Sequence, residues 1–213
     1  MFGGTWFPLI GVSLVIVASA VRMALRAPWR RVLLEAAFAV YVLFAIDMSL
    51  LPVRFDAGTR EMYMASWPYW QRSVNLVPFR TVVAQLSADA PPTAVFQLFG
   101  NLALLIPLGV LAPLVIPRLC HLRAFLTFAL SVAVGIELLQ LLQKVALIGW
   151  RSIDIDDVIL NTAGALLGFG VWRLADVVRS RFLDDAAKGD RLLSNQGVNP
   201  TTPCEVDSGR ERA

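Results

Sequence analysis

Charge is what this 213-residue sequence has least of: 16% of it is Asp, Glu, Lys or Arg, against about 25% in a typical soluble domain. With 57% hydrophobic residues, the chain has too little polar surface to cover a water-soluble core, and the shortage points to a lipid-facing exterior. The net charge is only +3, and the basic residues alternate with apolar runs instead of gathering in one patch, which argues against nucleic acid as a partner. His121 is the single histidine, so a Ser-His-Asp site, a Cys-His site or a histidine-ligated zinc would each have to be built on that one residue. Cysteine is nearly as scarce. Cys120 and Cys204 lack metal-type spacing, and both fall on the side assigned below to the cytoplasm, which argues against a structural disulfide.

What is abundant is long apolar runs. A bilayer core about 30 Å thick takes about 20 helical residues to cross, and five segments suit: 5–21, 32–51, 95–116, 124–142 and 154–171. None alternates like a barrel strand, and only the helix satisfies every backbone group within one segment in hydrocarbon. The expected fold class is all-α, a polytopic transmembrane helical bundle of about five spans. The start, Met1-Phe2-Gly3-Gly4, carries no positive charge, and Arg22, Arg26, Arg30 and Arg31 follow the first run. That order suits a retained anchor and not a cleaved signal peptide.

Arg22 to Arg31, then Arg118 and Arg123, then Arg173, Arg179, Arg181, Lys188 and Arg191 occupy alternate connections. The positive-inside rule makes these cytoplasmic, giving an N-terminus outside and a C-terminus inside in a multi-pass cytoplasmic (inner) membrane protein. The second loop opposes this with Arg54, Arg60, Arg72 and Arg80, but long loops obey the rule weakly. Within it, Trp67-Pro68-Tyr69-Trp70 suits the headgroup layer, and 81–86 reads as a short interfacial helix. The chain divides into an N-terminal anchor and loop (1–30), a membrane domain (31–175) and a disordered cytoplasmic tail (176–213).

Polar side chains inside spans are costly, so their depth is informative. Alternating topology puts Asp47, Gln97 and Asn101, Glu137, Gln140 and Gln143, and Asp154, Asp157 and Asn161 all toward the outer ends of four spans. Residues three or four apart share a helix face. Asp154, Asp157, Asn161, Gly164 and Gly168 therefore form one stripe, polar above and small below, where a neighbouring helix can approach closely. Asp156 points away from that stripe and reads as solvated. Pro107 removes a helical hydrogen bond in the third span, which is expected to bend. Glu137 must find a cation, a hydrogen-bond network or a proton. Arg151 is the nearest outer-side cation, Lys144 the next.

Asn75-Leu76-Val77-Pro78-Phe79, Gly100-Asn101 through Ile106-Pro107-Leu108-Gly109, Glu137-Leu138-Leu139-Gln140, and Arg151-Ser152-Ile153-Asp154-Ile155-Asp156-Asp157 with Asn161 and Gly164 together resemble the VanZ-like family. The resemblance runs from about Asn75 to Gly168, with Ala165 where many members carry glycine. It implies a four-helix membrane core. It also implies a connection with tolerance of the glycopeptide teicoplanin, and a distant relationship to enzymes acting on lipid headgroups.

Three functions follow as expectations. In the first, an enzyme acts on a lipid-linked envelope precursor at the outer leaflet. Arg151 grips a phosphate or carboxylate, Glu137 does general acid–base work, and Asp154 and Asp157 orient Arg151 or hold a divalent cation, though the sequence requires no cofactor. Asn75, Asn101, Gln140 and Asn161 would bind the headgroup. No activated serine or cysteine nucleophile is evident. In the second, the same cavity binds a lipid headgroup or the tail of a lipoglycopeptide without chemistry. The third, a small transporter, is disfavoured because the acids sit at one face and no inverted repeat is visible.

Overall fold

A computed structural model describes residues 6–51, 53–66, 74–87, 91–149 and 152–195. The elements in chain order are α1 (Trp6–Ala24), α2 (Trp29–Leu50), α3 (Ala57–Ser66), β1 (Val74–Asn75), α4 (Arg80–Gln85), α5 (Pro92–Leu104), α6 (Ile106–Val115), α7 (Leu122–Val145), β2 (Ile153–Asp154) and α8 (Ile155–Asn195). Five helical stretches are long and apolar enough to cross a bilayer: Trp6–Ala24, Trp29–Leu50, Thr93–Val115, Leu122–Val145 and Ile155–Phe182. Each expected span thus falls on helical chain, the third on α5 and α6 in series. The expected interfacial helix at 81–86 is α4. The Trp67–Trp70 cluster lies outside the described residues.

The third span is broken rather than bent. Leu105 leaves helical geometry (φ −100°, ψ 6°) between α5 and α6, two residues before Pro107, whose missing N–H and ring displace the preceding turn. Tyr41 of α2 donates its hydroxyl to the Leu104 carbonyl across 3.0 Å, so a carbonyl at the break is satisfied where no water is available.

The compact unit ends at Trp172. Its core lies where α6, α7 and α8 meet: Leu105, Leu108, Ala112, Phe125, Ala129, Ala133 and Ala165 are buried together. Phe125 stacks on Phe169 with ring centroids 4.6 Å apart. The small residues of α8 act as expected of a packing stripe. A Cβ on Gly164 would stand 1.8 Å from the Leu102 carbonyl oxygen, and one on Gly168 would stand 2.0 Å from that of Ile106. α1 packs on α2 and has no buried residue, the pattern of a peripheral helix bathed in lipid.

From Arg173 a second unit follows. Here one expectation is corrected: the tail begins as helix, continuing to Asn195, although disorder is expected from residue 176. Ala186, Ala187, Lys188, Arg191, Leu192 and Leu193 are good helix formers, and extending an existing helix avoids the cost of nucleation.

Candidate functional site

The site forms at the end of the bundle where α2 and α7 finish and α5 and α8 begin. Side-chain amides tie these ends together. Gln140 donates to the Ser49 carbonyl at 3.0 Å and Gln143 to that of Leu50 at 2.9 Å. Arg54 N–H reaches the Ile148 carbonyl at 3.1 Å. These bonds fix the height of α2 against α7.

The chain from Val74 to Ser87 folds onto the start of α8. β1 and β2 pair in parallel, Val74 with Ile153 and Asn75 with Asp154. Asn75 Nδ2 donates to Asp154 Oδ1 at 2.9 Å, and the Thr81 hydroxyl donates to Asp154 Oδ2. Asp156, only 1% exposed, accepts the backbone N–H groups of Phe79, Thr81 and Val82. This corrects the reading of Asp156 as a solvated acid: it does point away from the Asp157–Asn161 face, but the 74–87 segment covers the face it points to. Phe79 is held at φ 63°, a left-handed conformation that costs a bulky residue about 1–3 kcal/mol. Its N–H bond to Asp156 helps keep it there.

Behind this clamp lies a cavity of 430 Å³. Glu137, Asp157, Gln97, Asn101, Gln140 and Asn161 supply its polar wall, and Phe44, Met48, Leu104 and Ile136 its apolar one. Glu137 is 6% exposed and its Oε2 accepts the backbone N–H of Asp154 at 3.1 Å. Asn101 donates to Asp157 Oδ1. Asn161 is buried with its Oδ1 unpartnered, a costly state that functional sites tolerate more readily than cores. Ser49, not Asp47, is the polar contribution of α2 to the lining.

The expected single cluster therefore divides. Glu137, Asp157, Asn101, Gln140 and Asn161 line the cavity. Asn75 and Asp154 belong to the clamp beside it, and Asp154 stands in β2, one residue before the helix it was expected to open. Arg151 lies outside the described residues. Among the described residues, no three His, Cys, Asp or Glu side chains gather to hold a metal ion. Asp154 and Asp157 engage Asn75, Thr81 and Asn101 with their oxygens instead. Sequence reading missed Asp156, Thr81 and Tyr41, all of which act through contacts with residues distant in the chain.

Apolar spanning helices enclosing a polar, carboxylate-bearing cavity near one end define a multi-pass membrane protein. The VanZ/LLP1 family profile matches residues 38–176, more than half of the chain, and the protein belongs to that family. Comparison with curated proteins and with solved structures gave no match.

Proposed function

We propose that this protein binds the headgroup of a lipid-linked cell-envelope precursor in the cavity between α2, α5, α7 and α8, at the outer leaflet of the cytoplasmic membrane. The observation that carries the reading is the two-sided lining: two carboxylates and four amides face Phe44, Met48, Leu104 and Ile136. Such a wall suits a hydroxyl- or amine-bearing headgroup still joined to an apolar stem. The outward orientation rests on the arginines of the short connections. Teicoplanin tolerance would follow where occupancy of the site changes access of the glycopeptide, itself lipid-tailed, to its target.

Binding is favoured over covalent catalysis by Ser49. It is the hydroxyl side chain in the described lining, and its proton is committed to the Ala45 carbonyl at 2.5 Å, whereas a nucleophile hands its proton to a base. A second reading keeps chemistry: buried Glu137 could transfer a proton on the bound headgroup, with Arg151 steadying a phosphate. One experiment separates them. Full-length protein in lipid nanodiscs is titrated with undecaprenyl-diphosphate-linked precursor, and lipid-linked species are compared in cells. Gln97→Leu should weaken binding about tenfold, one hydrogen bond's worth of about 1.4 kcal/mol. Glu137→Gln should keep much of the binding and leave the cellular lipids unchanged. Unaltered affinity in Gln97→Leu would count against the cavity, and a missing lipid species in Glu137→Gln would establish chemistry.

A further inference from the structure

Next to the polar cavity lies a second, apolar one of 240 Å³. Phe38, Val42, Ala45, Leu108, Phe128 and Val132 form half of its wall, and Ser49 and Ile136 belong to both cavities. Among the described residues, no charged one takes part. The two hydroxyls in its lining are committed elsewhere, Tyr41 to the Leu104 carbonyl and Ser49 to that of Ala45. Water needs two to four polar partners, whereas apolar cavities of about 150 Å³ stay dry and accept hydrocarbon guests. Hydrocarbon is therefore the fitting occupant.

The order of residues along the helices gives the direction. On α2 the polar cavity uses Phe44, Met48 and Ser49, and the apolar one runs beside it from Leu50 and Ser49 through Ala45 and Val42 to Phe38. On α7 the sequence is Gln140, Glu137, Ile136, then Val132 and Phe128. At the break in the third span the two meet, the polar cavity using Asn101, Leu104 and Pro107 and the apolar one Leu105 and Leu108. On α2 and α7 the apolar cavity thus reaches further from that end of the bundle than the polar one, to Phe38 against Phe44 and to Phe128 against Ile136. That is the polarity profile of an amphiphile standing along the membrane normal.

We propose that this groove holds one hydrocarbon chain of the lipid whose headgroup occupies the polar cavity, so that an intact amphiphile is recognised and a headgroup cut from its tail is not. This rests on the headgroup reading above. The test uses full-length protein in nanodiscs of phosphatidylethanolamine and phosphatidylglycerol, doped with undecaprenyl-diphosphate-linked precursor carrying a diazirine midway along its isoprenoid chain. A parallel set carries the photolabel on the headgroup. Cross-linked residues are mapped by peptide mass spectrometry.

Mid-chain label should reach Val42, Leu108, Phe128 and Val132 several-fold more often than Leu14 and Ile16, which α1 exposes as a reference for bulk lipid. Ala45→Phe and, from the opposite wall, Val132→Phe should abolish groove labelling and leave α1 labelling intact, which also reports that the variants are folded. Groove labelling no higher than that of α1 would mean ordinary annular lipid and overturn the proposal. So would a cross-link between two copies of the chain through the groove, or labelling that survives both substitutions. If headgroup label marks Met48 and Gln97 while the groove stays unlabelled, the chain subsite fails and the headgroup reading stands. If neither set labels its cavity, both fail.

Discussion

The Asp156 carboxylate receives three backbone N–H groups from a segment far away in sequence. Bonds to a charged acceptor are worth about 1.5–3 kcal/mol each, so losing this acceptor should free the segment without unfolding the spans. In Asp156→Asn one carboxylate oxygen becomes an N–H₂ group that cannot accept. Hydrogen exchange at Phe79, Thr81 and Val82 should quicken by at least tenfold, the factor set by about 1.4 kcal/mol of lost protection. Asp157→Asn should leave those three amides protected, because its bond runs to Asn101. Asp56 offers a pH-dependent case outside the spans. It caps α3 by accepting the Thr59 N–H and hydroxyl, both at 2.8 Å, and these bonds hold its carboxyl below the usual aspartate range. The sign follows: the cap's stabilisation is complete above the unfolded pKa of about 3.9 and is lost as pH falls through the lower folded value. Exchange of the Thr59 amide should therefore stay slow, relative to intrinsic rates, down to about pH 4 and speed up below it. An Asp56→Asn variant should show no such transition.

At the scale of elements, the contact of α8 with the broken third span depends on absent side chains. Gly164→Ala would place a methyl 1.8 Å from a backbone oxygen, where no rotamer change can relieve the clash. Overpacking of this kind costs about 1–3 kcal/mol or more, and a lower melting temperature in detergent should follow. Gly170→Ala should be neutral, since nothing lies within 4 Å of its Cβ position. Apolar run length made the spans legible, because in hydrocarbon a helix is the only local solution for such a segment. The spacing of Gly164 and Gly168 likewise exposed the packing face. The position of the break was not legible: Pro107 signals a disturbance, but not that Leu105 leaves the helix or that the Tyr41 hydroxyl, arriving from another helix, meets the Leu104 carbonyl there. Tyr41→Phe should test that support. It removes the donor to the Leu104 carbonyl and should cost about 1 kcal/mol, within the range of interhelical hydrogen bonds in membranes, read as reduced thermal stability with the helical content retained.

For the whole molecule, the question is which way the cavity faces. Depth of the costly side chains was readable, because alternating spans oblige Gln97, Asn101, Glu137, Gln140, Asp157 and Asn161 to share one level, and they do line one cavity. The division of labour among the motif residues was not readable. Asn75, Asp154 and Asp156 look as chemical as Glu137 in the sequence, and only the parallel pairing of two two-residue strands reveals that they fasten a loop. That pairing also bears on topology. The second loop carries Arg54, Arg60, Arg72 and Arg80 against the positive-inside rule, yet its 74–87 stretch is folded onto the same bundle end as the cavity. Labelling this segment therefore reports the side of the site itself. In a background with Cys120 and Cys204 changed to serine, an impermeant maleimide should label Leu76→Cys and Ser87→Cys, both at exposed positions, in intact cells. Arg26→Cys and Arg118→Cys, also exposed, should react only after permeabilisation. The reverse pattern would turn the cavity toward the cytosol, where an extracellular glycopeptide could not reach it and a cytoplasmic-leaflet lipid would become the ligand to seek.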